Sequence, residues 1–164
     1  MRVALAAVRE LQLTRSADDK RRLDLPGVGS LRFENIWGTK LRLTAPGHGE
    51  WRVVRRRRGV TVSDADGMTV AAFTGRGVEQ GDVAVEVTTP HQGLLDRRPP
   101  FLLLEGDREL ARMAPSVWSE KPTAVTLLDE DFAVQHPLLL LLALYRAQLV
   151  AASRQAGAAA GGVT

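Results

Sequence analysis

Five consecutive leucines, Leu138 to Leu142, followed by Ala143, Leu144 and Tyr145, constrain this chain more than any other feature. With 3.6 residues per turn, five helical neighbours cover every side of the cylinder. A helix that is apolar all round belongs in a protein core or in a membrane. Pro137 fits the first helical position, where its missing N–H leaves no partner unsatisfied. Asp129, Glu130 and Asp131 lie just upstream, where a positive helix end favours carboxylates. The uninterrupted apolar run, Pro137 to Tyr145, falls short of the roughly 20 residues that a span requires. Extending it to Ala152 takes in Arg146 and Gln148, and a mid-bilayer arginine costs about 2.5–3.5 kcal/mol on insertion scales. Extending it backwards takes in Gln135 and His136. The segment therefore reads as a core helix, and no transmembrane span is expected.

The residues before it read as strands. In "GDVAVEVTT", Val83, Val85 and Val87 share one face while Asp82, Ala84 and Glu86 share the other, the period of a half-buried strand. "SLRFENI", "KLRLTA", "EWRVVR", "GVTVSD" and "MTVAAF" follow the same scheme, separated by turn residues in "PGVG", "PGHG", "DADG" and "GRG". "FLLLEGDRELARM" reads as a hairpin turning at Gly106–Asp107, and "SVWSE" and "TAVTLLDE" supply the last strands. The expected fold is mainly β: a closed antiparallel barrel of about 10–12 short strands around a buried C-terminal helix. Residues 1–19 form a short N-terminal segment, helix or strand. Residues 20–153 form a single barrel domain whose central helix covers about 137–152. Residues 154–164, small and glycine-rich, form a disordered tail.

Composition narrows the chemistry. At 164 residues the chain suits one core, and the absence of cysteine excludes disulfides, thiol catalysis and cysteine-ligated zinc. The opening "MRVALAAVRE" lacks the long apolar stretch and cleavage site of a secretory signal, so a cytoplasmic location is expected, peripheral to the membrane if lipid is bound. A net charge of +3 does not by itself announce a nucleic-acid binder.

A barrel around a C-terminal hydrophobic helix resembles the Tubby C-terminal domain, the phospholipid scramblases and the LURP-one-related proteins. "DEDFAVQHPLLL" is similar to the scramblase entry into that helix. "GVTVSDADGMTVAAF" looks like the family's recurring hairpin, and "RRLDLPGVGSLRFENIWG" is similar to the opening of small bacterial relatives. The likeness covers roughly Arg21 to Ala152. It implies a non-enzymatic binding module, with Tubby-like recognition of anionic phospholipid as its activity.

The residues with most to say about function are Arg55, Arg56, Arg57 and Arg58 in "VVRRRRG". Four guanidiniums at a strand end suit anionic lipid headgroups or nucleic-acid phosphates. The plainer reading of the same run is a solvated hairpin end. No aromatic platform interleaves them, which argues against single-stranded nucleic acid. Alternation turns Arg55 and Arg57 to one face, so any inward pair must lie beyond the core rim. "DADG" and "DED" fail the spacing of a calcium loop and read as a turn and a helix start. His48, His91 and His136 lack metal-ligand spacing, and Trp37, Trp51 and Trp118 read as barrel-wall packing. In "GVGSLR" Arg32 occupies the place of the third glycine of a dinucleotide fingerprint. No catalytic residue, metal or cofactor is expected. Two other readings stay open: a structural or protein-interaction domain without a lipid ligand, and a membrane-inserted scramblase whose helix leaves the barrel.

Overall fold

The computed structural model describes residues 8–89, 99–116 and 119–160. Its strands are β1 (Arg9–Gln12), β2 (Thr14–Arg15), β3 (Arg22–Leu25), β4 (Gly29–Phe33), β5 (Lys40–Ala45), β6 (Gly49–Arg56) and β7 (Gly59–Ser63). They continue with β8 (Thr69–Thr74), β9 (Gly77–Gln80), β10 (Val83–Thr88), β11 (Phe101–Glu105), β12 (Arg108–Ser116) and β13 (Ser119–Leu127). Helices α1 (Glu130–Gln135) and α2 (Pro137–Ala160) follow. From β2 to β13 every strand pairs antiparallel with its chain neighbour, a meander throughout.

One stretch of chain joins the two ends of this sheet. β1 pairs with β13, β2 pairs with β3, and only Leu13 lies between β1 and β2. Leu13 donates its own N–H to the carbonyl of Thr123 at 2.7 Å. The result is a nearly closed, 13-stranded antiparallel barrel. Closure leaves few unpaired strand edges. The strands thus take in Arg9–Arg15, ahead of the boundary at residue 20 set by patterning, and their number exceeds the expected ten to twelve. The physical reason is that "RELQLTR" must satisfy two neighbours at once, and its Leu11 is buried. "SVWSE" is not a strand of its own; it covers the end of β12 and the start of β13, and its Val117 and Trp118 lie outside the described residues.

Alternation holds where it is cleanest: Val85 and Val87 are buried, while Ala84 and Glu86 are exposed. The inward side chains meet α2, in which Leu139 to Leu144 are all 0% exposed. Gly29 permits the approach. A Cβ there would sit 2.2 Å from the Thr44 carbonyl oxygen and 3.1 Å from Cδ1 of Leu141. Backbone cannot yield as a flexible side chain does, so Gly29→Ala should destabilise the protein by about 1–3 kcal/mol, read as a lower urea midpoint. An unchanged midpoint would mean that β5 and α2 are not packed this closely.

The helical region differs from expectation at both ends. Asp129 caps α1, its carboxylate accepting from the Phe132 N–H at 3.0 Å, so the acidic cluster marks a helix start, as read, but of a separate short helix. His136 then leaves helical geometry at φ −130° and ψ 55°, as the residue before a proline tends to. At the far end α2 runs on to Ala160 rather than stopping near Ala152. Ala156 and Ala158–Ala160 are strong helix formers and carry the helix into the segment expected to be disordered. The remaining residues, 161–164, lie outside the description. With 24 residues α2 is long enough to cross a bilayer, so length does not decide its place. Burial does: 67% of the Pro137–Arg154 window is buried inside the protein.

Candidate functional site

In a meander, alternate turns fall at opposite ends of the barrel. One end carries the turns after β3, β5, β7, β9 and β11, and the start of α1. The other carries those after β2, β4, β6 and β8, and α2 emerges there: Tyr145 donates to the Gly38 carbonyl in the β4–β5 loop at 2.7 Å.

The charges are sorted between these ends. The first holds Asp64, Asp66, Asp82, Asp107, Asp129, Glu130 and Asp131. Arg9 lies there beside Gly27, and Arg108 is paired with Glu105 at 3.2 Å and Asp129 at 3.1 Å. The second end holds Lys20, Arg21, Lys40, Arg55 to Arg58 and Arg76, all exposed. Of the carboxylates at this end, Asp19 pairs with Arg32 at 2.6 Å and Glu34 with Arg42 at 3.1 Å, while Asp18, exposed in the β2–β3 turn, joins no ion pair among the described residues. The Arg32 hydrogen bond holds the Asp19 carboxyl below its ordinary value.

Arg55 and Arg56 end β6, and Arg57 and Arg58 form the turn into β7. All four are exposed, and none joins an ion pair among the described residues. Inward positions of β6 are Trp51 and Val53, both buried, so Arg55 occupies the next inward place. It does so at the rim, where alternation required any inward arginine to be. Its backbone N–H donates to the Thr39 carbonyl at 2.7 Å, and its positive charge acts on the Tyr145 hydroxyl.

Tyr145 is therefore a reporter of this rim. Burial raises its pKa above 10, with Arg55 pulling partly the other way. It is the only tyrosine in the chain, so a spectrophotometric titration reads it alone. The folded protein should ionise at a pH above that of the guanidinium-unfolded chain, and Arg55→Gln should delay ionisation further. Because the folded pKa is raised, the associated stability is complete below the unfolded value and is lost as pH rises through the folded one. A folded midpoint at or below the unfolded one contradicts this placement.

Beside Tyr145, Arg146 closes the mouth. It donates to the carbonyls of Gly77, at 3.0 Å, and Gly75, and lies 5.3 Å over the Phe73 ring. Phe73, Arg146, Leu149, Val150 and Ser153 line a hollow of about 260 Å³ where α2 leaves the barrel. With its guanidinium spent on backbone carbonyls, Arg146 anchors the helix.

The other candidates are placed as follows. Asp64 Oδ1 accepts from the N–H groups of Asp66 and Met68, both at 3.0 Å, so "DADG" uses its carboxylate to hold its own turn. His48 lies exposed in the β5–β6 turn, His136 ends α1, and His91 lies outside the described residues. Trp51 is wall packing at 9% exposure, but Trp37 is not. It is 75% exposed, and its neighbour Ile36 is 80% exposed, on the β4–β5 loop. Strand alternation does not continue through "ENIWGT", where the chain turns, and that break was the available signal. Comparison of the chain with protein-family models, curated proteins and solved structures finds no match in any of the three.

Proposed function

We propose that this protein is a non-enzymatic binding module that docks its basic end on anionic phospholipid surfaces. The observation that carries the reading is the sorting of charge: an arginine-rich rim, whose carboxylates Asp19 and Glu34 are paired and whose one free carboxylate among the described residues is Asp18, opposite a rim of aspartates. Such a molecule orients in the field of an anionic leaflet, basic end first. The four arginines at the end of β6 and in the β6–β7 turn are all exposed at that rim. The resemblance to Tubby-type and scramblase-type barrels supports the same reading, and that kinship is itself part of the proposal. Buried in the barrel, α2 favours surface binding over insertion.

Co-sedimentation with vesicles is the test. Binding is expected to phosphatidylcholine vesicles containing 30% phosphatidylserine at low salt, to weaken strongly in 0.5 M salt as screening shortens, and to be absent with phosphatidylcholine alone. No binding to anionic vesicles at low salt would overturn the proposal in favour of a structural or protein-interaction domain.

A further inference from the structure

Among the described residues, the exposed large apolar side chains are Val8, Ile36, Trp37, Met68 and Val134. Val8, Met68 and Val134 have no exposed large apolar neighbour in the sequence, and single exposed apolar residues need no explanation. Ile36 and Trp37 are different. They are adjacent, they share one loop tip, and that tip belongs to the basic end.

The loop beneath them is built rather than slack. Asn35 Oδ1 accepts from the N–H of Thr39 at 3.0 Å and of Lys40 at 3.3 Å, and Asn35 Nδ2 donates to Thr39 Oγ1 at 2.6 Å. Glu34 N–H donates to the Lys40 carbonyl at 2.9 Å, closing the base. Gly38, at φ 65°, takes the left-handed turn that other residues resist, and its carbonyl receives the Tyr145 hydroxyl. The tip is thus pinned to the central helix while its two largest side chains face water. Thr39 also accepts from Arg55, and Lys40 lies in register with Val54, so the apolar tip stands directly beside the arginine turn.

We infer that Ile36 and Trp37 form a wedge that enters the headgroup–acyl boundary of an anionic bilayer while Arg55–Arg58 and Lys40 engage the headgroups around it. The inference rests on the lipid reading above and adds its apolar half. Charge complementarity selects the occupant: an apolar tip ringed by unmatched cations suits an interface that is anionic outside and apolar beneath. Tryptophan, with an apolar body and one N–H, is suited to that boundary. A fixed tip enters it without first losing loop entropy.

The experiment compares wild type with Ile36→Ser/Trp37→Ser on vesicles of 70% phosphatidylcholine and 30% phosphatidylserine, with and without acyl-chain bromination. Wild-type tryptophan emission should be quenched by brominated lipid, and the double variant should lose that quenching. Its binding should weaken by at least about tenfold, with the residue wholly abolished by 0.5 M salt. Both side chains are exposed, so the variant should melt as wild type does. If the variant binds as tightly as wild type, or wild type binds without quenching, the wedge is overturned while the electrostatic reading stands. If wild type binds no anionic vesicle, both fall. Self-association of wild type without vesicle binding, abolished in the variant, would make the tip a protein contact and overturn both.

Discussion

Leu141→Asp leaves no folded protein. Leu141 is 0% exposed and its Cδ1 faces the β4–β5 pairing near Gly29, with no cationic partner available along the leucine run. An uncompensated charge in such a place costs several kcal/mol, comparable to the whole 5–15 kcal/mol by which domains are stable. Every strand except β2 contributes inward side chains to the same core, so there is no independent part to survive. The expected measurement is loss of the cooperative thermal transition and of near-ultraviolet dichroism. Leu141→Ala, by contrast, should fold but lose about 2–5 kcal/mol through the cavity it leaves. A soluble aspartate variant that melts cooperatively near the wild-type temperature would remove α2 from the barrel.

Replacing Arg55, Arg56, Arg57 and Arg58 with glutamine should abolish vesicle binding while sparing the fold. Each basic residue near an anionic leaflet contributes about 1 kcal/mol, so four together correspond to roughly a thousandfold in affinity. Folding is spared because all four are exposed and surface changes fall within about ±0.5 kcal/mol each. Arg55 acts electrostatically on the Tyr145 hydroxyl, and that hydroxyl keeps its bond to Gly38. Circular dichroism and melting should match wild type, whereas co-sedimentation at low salt should not. Equal binding by both proteins would move the contact elsewhere and leave the arginines as a solvated strand end.

The architecture was legible because its two strongest signals are physical necessities. Five leucines in a row have no amphipathic solution, and Val83, Val85 and Val87 admit only a strand with one wet face. The details that were not legible depend on what lies across space. "RELQLTR" shows one short alternating run, and nothing local says that its halves pair with strands at opposite ends of the sheet order. The end of α2 was misplaced because glycine and alanine look loose, although alanine extends a helix already nucleated inside the barrel. The arginine turn was readable as a cluster, and its position at the rim followed from alternation. Its surroundings were not. Trp37 reads as core by residue type, and only the loop's own bonds, Asn35 to Thr39 and Lys40, turn it outward. The sorting of charge between the ends emerges only when the meander assigns each turn its side.

The orientation on the membrane tests the central claim most directly, and hydrogen–deuterium exchange with and without phosphatidylserine vesicles measures it. The barrel is predicted to gain protection in the β4–β5 loop, residues 34–39, and at the β6–β7 turn, residues 56–59. No change is predicted at the turns of the acidic end, residues 46–48, 64–68, 81–82 and 106–107. Protection confined to the acidic end, or spread equally over both, would contradict it.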